Sequence, residues 1–408
     1  MTAASNRLRV LILGGGFAGL RCAQSLSADR YAVTLVDRSG WFEFLPNIHE
    51  LISGVKTPDL LRIGLASSMQ RSGHRFLRDT VNVIDPAART VRTRRRRKLT
   101  YDLLLIALGG IDSTHAVPGA AEHALPFKSV DDCVRIGKRL ARLATRRKPA
   151  RVVVIGSGLE GVEALGEILR AYRSTSLHTT LLEARPRLLP EAPSAVARHL
   201  RHLCERYPVD FLARSPATAI TAKSVKLRGG AALPADLTIW TGGPAPSPLL
   251  ADSGLAPRGA WVPVSASLQV AEYPEIHVAG NAAALPEPIS KQAYHALDMG
   301  AHVAKNIERV TRGHAPVAFR PSGKPMLVSF GDISCFVIAG ERVLAGASLS
   351  AGKEAVYELT MAQLDNRPMP IRMLRAVQRG ETAARTLLMP TLASFSALRR
   401  QPRVEWLA

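Results

Sequence analysis

The chain has 408 residues, 47% of them hydrophobic and 21% charged, enough for two or three domains with proper cores. Its 54 Lys and Arg against 33 Asp and Glu leave a net charge of +21, which fits an Arg-rich solvated surface and equally attraction to an anionic membrane, an acidic protein or nucleic acid. No apolar run approaches 18 residues, so no membrane-spanning helix is expected, and Cys22, Cys133, Cys204 and Cys335 are too scattered for a dithiol centre or a zinc site.

The first residues lack the basic-then-apolar pattern of a secretory signal. Lone cysteines without such a signal fit a reducing, cytoplasmic setting. The first strand reads Leu8 to Leu13 and runs into Gly14-Gly15-Gly16-Phe17-Ala18-Gly19. A helix over Leu20 to Leu26 follows, then a second strand, Tyr31 to Val36, closed by Asp37 and Arg38. In such a G-x-G-x-x-G turn the first glycine permits the tight bend and the second lets backbone approach a pyrophosphate. The third allows close helix–strand packing, and the acid can bond ribose hydroxyls. Next comes an aromatic segment, Trp41 to Asn47, unlike a solvated loop. Arg92 to Lys98 reads as a basic hairpin edge or tip, and Tyr101 to Ala107 as a fully buried strand ended by Gly109-Gly110.

An Arg-rich helix is expected near Asp131 to Arg147, which takes in Cys133. The motif then recurs: Arg151 to Ile155 leads into Gly156-Ser157-Gly158-Leu159-Glu160-Gly161, a helix over Val162 to Ala171, and Thr179 to Leu182 closed by Glu183. Short strands are expected at 209–213, 218–222 and 237–240, followed by a Gly/Pro-rich break from Gly242 to Pro248. Ile276 to Gly280 reads as another buried strand, and a helix is expected from about Lys291 to Arg309. The last part carries strand-like runs at 326–330, 335–338 and 343–347. From Pro370 onward it is basic and amphipathic, a pattern that suits either docking on the protein body or an interfacial membrane contact.

One fingerprint alone is weak, but two complete ones point to two dinucleotides, most simply FAD and NAD(P)H. The ordered set of Gly14 to Leu20, Val33 to Asp37, Tyr101 to Leu105, Gly156 to Glu163, Leu182-Glu183-Ala184, Ile239 to Gly243 and Val278 to Asn281 resembles the two-dinucleotide-domain flavoprotein superfamily. Within it the chain is most similar to type II NADH dehydrogenases and to AIF-like quinone reductases of the ferroptosis-suppressor type, over roughly residues 8–320.

The resemblance implies an α/β fold of two Rossmann-like dinucleotide-binding domains, the NAD domain inserted in the FAD domain, plus a small C-terminal region. The expected divisions are 1–115 and 251–320 for FAD, 116–250 for NAD(P)H, and 321–408 for the C-terminal domain. Gly14, Gly16, Phe17, Ala18, Gly19, Asp37, Arg38, Gly109 and Asn281 are then expected at FAD, and Gly156, Gly158, Gly161, Glu183 and Gly242 at the nicotinamide nucleotide. Glu183 favours NADH because an acid repels a 2′-phosphate, while nearby Arg185 keeps NADPH open as the less favoured donor. Glu163 matches the family's glutamate beside the nicotinamide and flavin rings, and Lys291 matches a lysine near the flavin, able to stabilise negative charge there. Their plainer readings are a helix-start acid and a solvated lysine. Two positions depart from the family pattern: Asn281 stands where an aspartate is usual, and Leu108 where a threonine is usual.

The expected activity is hydride transfer from NADH to FAD and then electron delivery to a small-molecule acceptor, a quinone by analogy. Reduction of a ferredoxin-type carrier is the second reading, and a flavin-binding redox sensor with little turnover the third. The expected setting is cytoplasmic, peripheral on the inner face of the membrane through the C-terminus. A homodimer is compatible, no metal is implied, and no ordered nucleic-acid motif is present, the Arg clusters lacking interleaved aromatics.

Overall fold

The computed structural model describes residues 7–369, 371–373, 377 and 404–407. Most of the amphipathic stretch expected from Pro370 onward therefore lies outside the described residues.

Two parallel sheets organise the molecule. The larger has six strands in the spatial order Gln269–Val270, Tyr273–Val278, Leu103–Ile106, Leu8–Leu13, Tyr31–Asp37 and Arg75–Arg78. All neighbours pair in parallel except the short Gln269–Val270 edge. The other has five parallel strands, ordered Ala124–Pro126, Leu237–Trp240, Ala150–Ile155, Leu177–Leu182 and Val209–Leu212. Their central strands are nearly continuous apolar runs because parallel strands covered on both faces have no solvent side to alternate toward. All four residues of Leu103–Ile106 and all four of Leu237–Trp240 are buried.

Each fingerprint sits between a central strand of its sheet and a helix, Leu8–Leu13 and Phe17–Ser25 in one case and Ala150–Ile155 and Leu159–Tyr172 in the other. Both helices begin earlier than the apolar pattern suggests. The motif's last residues already form the first turn, and they carry too little apolar periodicity to show it. The basic run is a hairpin tip, between Thr90–Thr93 and Lys98–Thr100. The helix expected from Lys291 begins instead at Ala293, with Gln292 as its extended N-cap, so Lys291 lies in the preceding loop.

A four-stranded antiparallel sheet is built from Met326–Phe330, Ser334–Ala339, Arg342–Ala345 and Glu405–Leu407. It is followed in the chain, after its third strand, by a helix that the sequence reading passed over, Ser350–Leu364. Two glycines set its distance from the second fingerprint helix. A Cβ on Gly166 would lie 2.4 Å from the Gly331 backbone nitrogen, and one on Gly331 would lie 2.3 Å from the Gly166 carbonyl oxygen. That close approach brings the Leu159–Tyr172 helix within side-chain reach of the C-terminal region.

The aromatic segment mostly packs inward. Phe42 and Phe44 are buried and stack edge-on against Phe17 at 4.9 and 5.5 Å, and Phe44 meets Tyr357 at 5.0 Å. Trp41 and Leu45 remain exposed. Arg62 ties the segment down, bonding Glu43 at 2.6 Å and Asp131 at 2.9 Å.

Candidate active site

The two fingerprints have matching geometry. Gly14 (φ +103°) and Gly156 (φ +102°) both occupy backbone conformations that a side chain resists. A Cβ on Gly19 or Gly161 would lie 1.9 Å from the carbonyl oxygen of the motif's own first glycine. Gly16 and Gly158, by contrast, face open space, with nothing within 4 Å of a Cβ. They are also the N-caps of their helices, and neither helix receives a side-chain cap. Amide donors at an uncapped helix N-terminus beside an open glycine suit a pyrophosphate.

The closing acids are tied back to the turns they serve. Asp37 accepts from the backbone N–H of Gly15 and of Ser39, each at 2.7 Å. Burial pushes its carboxyl above the usual range, against those two bonds. Glu183 accepts from Ser157 N–H at 2.9 Å, Ser157 Oγ at 2.7 Å and Arg185 N–H at 2.9 Å. Arg185 turns its guanidinium away to Glu191 at 2.7 Å. Arg38 is exposed. Gly109 (φ +64°) follows the Leu103–Ile106 strand, and the Gly242 carbonyl lies 2.7 Å from His115 Nε2.

Glu163 is buried, and segments far apart in the chain converge on it. Its Oε1 accepts from Ser329 N–H at 3.2 Å and from the Lys353 ammonium. His49 Nδ1 lies 3.8 Å from its other oxygen, and His49 Nε2 is 3.3 Å from Lys353 Nζ. Burial raises the Glu163 carboxyl, Lys353 working against it. Burial holds His49 neutral, and the nearby cations Lys353, Lys56 and Arg170 act in the same direction. Neutral His49 can then accept from Lys353 at Nε2 and present Nδ1–H toward Glu163. Alongside, Lys56 bridges Glu354 at 2.6 Å and Glu50 at 3.7 Å and lies over the Tyr357 ring.

Lys291 does not join that cluster. Its ammonium donates to the Asn281 backbone carbonyl at 2.6 Å and sits 4.0 Å from the Trp261 ring centre. Burial lowers its pKa to about 8. A cavity of about 250 Å³ opens here, lined by Trp261, Gly280, Asn281, Leu285, Lys291 and Met299 among others. A wider cleft of about 950 Å³ adjoins it at Ser290 and Gln292 and runs between residues 187–194 and the C-terminal sheet.

The residues missed from sequence are Lys353 and His49. Lys353 is on a helix whose buried positions are Lys353, Tyr357, Thr360, Met361 and Leu364. Helical spacing is present in that set, but two of its five members are polar. His49 follows the aromatic run and carries no motif of its own.

The model of the pyridine nucleotide-disulphide oxidoreductase family matches residues 8–300, from the first strand of the six-stranded sheet into the Ala293–Thr311 helix. The chain belongs to that family. Among curated relatives, it is similar to the type II NADH:quinone oxidoreductase of Staphylococcus haemolyticus, 25% identical over 382 residues, covering 86% of this chain and 95% of the relative. The corresponding protein of Staphylococcus epidermidis is 25% identical over 390 residues, covering 87% and 97%. Among solved structures, NDH2 from Plasmodium falciparum in complex with NADH superposes with a TM-score of 0.83 at 16% identity, over 93% of this chain and 98% of that one. The sulfide:quinone oxidoreductase of Aquifex aeolicus gives 0.77 at 21% identity, over 91% and 95%. The α/β architecture and the superfamily resemblance read from the sequence are borne out by these matches. Among the described residues no cluster of His, Cys, Asp or Glu could hold a metal ion, and no helix is long and apolar enough to cross a membrane.

Proposed function

We propose that this member of the pyridine nucleotide-disulphide oxidoreductase family is an FAD-dependent NADH dehydrogenase that delivers electrons to a quinone. The observation that carries the reading is the pair of uncapped glycine cradles, the second of whose helices delivers Glu163 to a buried ionic cluster. A bound flavin supplies a centre that takes hydride from a reduced nicotinamide and passes electrons on.

The chain's own groups divide the remaining work. Gly14, Gly16, Phe17, Ala18, Gly19, Asp37, Arg38, Gly109 and Asn281 hold FAD in this reading, and Gly156, Gly158, Gly161, Glu183 and Gly242 hold NADH. The sequence intervals 1–115 with 251–320, and 116–250, supply the two halves. What supports NADH over NADPH is Glu183, fixed by three bonds, with Arg185 drawn off to Glu191. Glu163 and Lys353 are placed to hold or move a proton at Glu163 Oε1, with His49 adjoining. Lys291 keeps a positive charge at the edge of the apolar cavity below about pH 8. That cavity suits a flat apolar acceptor.

The quinone itself is supported by the names of the two staphylococcal relatives. A membrane-borne acceptor goes with a peripheral position on the inner face of the membrane, reached through the C-terminal stretch, and a homodimer is compatible with it. The test is an acceptor screen with NADH as donor. Turnover with a short-chain ubiquinone or menaquinone analogue at least about tenfold faster than with a ferredoxin is expected. Faster turnover with the protein carrier would replace the quinone reading with that of a carrier reductase, toward which a +21 surface would steer an acidic protein.

A further inference from the structure

Seven residues from Arg92 to Lys98 carry six positive charges, and those six side chains are all exposed. They are not a loose tail. Thr93 N–H donates to the Arg97 carbonyl at 3.0 Å, Arg96 N–H to the Thr93 carbonyl at 2.9 Å, and Arg94 N–H to the Thr80 carbonyl at 2.8 Å. Arg96 is held at φ +60°. The buried Asp79 carboxylate accepts from Thr80 N–H at 2.8 Å at the base of the turn. Its charge also attracts Arg95, while the basic side chains of the turn remain exposed to solvent.

The same bonds place the turn at one corner of the six-stranded sheet. Asp79 N–H donates to the Asp37 carbonyl at 2.9 Å, and Arg78 pairs in register with Asp37 on the edge strand. Arg38 and Arg78 are exposed beside it. Among the described residues no carboxylate forms an ion pair with Arg92, Arg94, Arg96, Arg97 or Lys98. Like charges crowded on a rigid turn repel one another, and a polyanion covering the turn relieves that repulsion.

We infer that the Arg92–Lys98 turn is a docking surface for anionic lipid headgroups, an electrostatic contact separate from the amphipathic C-terminal stretch. Lipid is favoured over nucleic acid on two observations. The turn contains no aromatic residue on which a base could stack. The chain also exposes Met369, Ile371, Met373 and Val377, apolar groups that a bilayer would accommodate. The choice of a membrane agrees with the quinone reading but is tested apart from it.

The experiment is flotation of the full chain with vesicles of phosphatidylcholine alone and of phosphatidylcholine with phosphatidylglycerol, across a salt series. The variant carries Arg94→Gln, Arg95→Gln, Arg96→Gln and Arg97→Gln together, and a companion carries Lys at the same four positions. A basic residue near an anionic bilayer strengthens binding roughly fivefold. The glutamine variant should therefore bind anionic vesicles at least about tenfold more weakly at low salt, with a shallower salt dependence. The lysine variant should bind as the parent does, and binding to neutral vesicles should not change. Wild-type binding of the glutamine variant to anionic vesicles would overturn the proposal. So would tighter binding of the parent to a single-stranded oligonucleotide than to anionic vesicles at equal phosphate. Bleaching of bound flavin by NADH, followed in the same samples, separates the two claims: a protein that NADH fails to reduce, yet that loses vesicle binding with its arginines, refutes the dehydrogenase reading and leaves this one standing.

Discussion

Glu163 is a carboxylate that burial would neutralise and Lys353 holds toward its charged form. Removing one member of a buried pair costs more than removing both, because the survivor is left as an uncompensated charge. Lys353→Met should therefore destabilise the protein by about 3 kcal/mol or more. Adding Glu163→Gln to that variant should restore at least half of the loss. Urea unfolding of the parent, the two single variants and the double variant measures the coupling, and simple additivity would show that the pair does not act as a unit. Glu163 was legible in the sequence because it stands two residues past a recognisable fingerprint. Lys353 was not, since the pair is separated by 190 positions and only tertiary packing joins them. Lys291 was legible as a residue but misplaced as a helix residue. Burial in that loop lowers its pKa to about 8, against the bond to the Asn281 carbonyl and the contact with the Trp261 ring, both of which favour the charged form.

The Leu159–Tyr172 helix buries a second acid one turn beyond Glu163. Glu167 is fully enclosed, bonded by Ser53 and 3.6 Å from Arg170, and burial raises its pKa to about 7. A carboxyl raised from 4.5 to about 7 keeps its proton in the folded state while the unfolded chain has already lost it. The folded protein therefore loses stability as pH rises from about 4.5 to 7, and the loss is complete above that window. Glu167→Gln removes the titration. Relative to the parent it should gain stability between pH 5 and pH 8, by up to about 3 kcal/mol, read from thermal midpoints at the two values. An unchanged difference would mean that Glu167 is ionised in the fold. At this scale the sequence was most informative where backbone geometry demands particular residues. Both glycine turns and their flanking strands could be read directly, since no other residue suits Gly14 or Gly156 at such positive φ. The Ser350–Leu364 helix could not, because its inward face mixes lysine and threonine with apolar groups.

Across the whole molecule, parallel sheets set the two cradles, and the C-terminal sheet closes against the second fingerprint helix through Gly166 and Gly331. Its fourth strand, Glu405–Leu407, pairs with Arg342–Ala345. Cutting the chain at Pro370 would thus remove a strand along with the amphipathic stretch, and polar substitutions at Met369, Ile371, Met373 and Val377 are the cleaner probe of an apolar membrane contact. The net charge of +21 is ambiguous as a composition, but among the described residues the fold gathers part of it as arginines at the corner beside Asp37. Anaerobic titration of the purified protein with NADH and with NADPH, followed by flavin absorbance, tests most directly whether both cradles are filled and act in series. Stoichiometric bleaching by NADH, with NADPH slower by about tenfold or more, is predicted from Glu183 and the second cradle. A protein that carries no flavin, or whose flavin NADH leaves oxidised, would contradict the account.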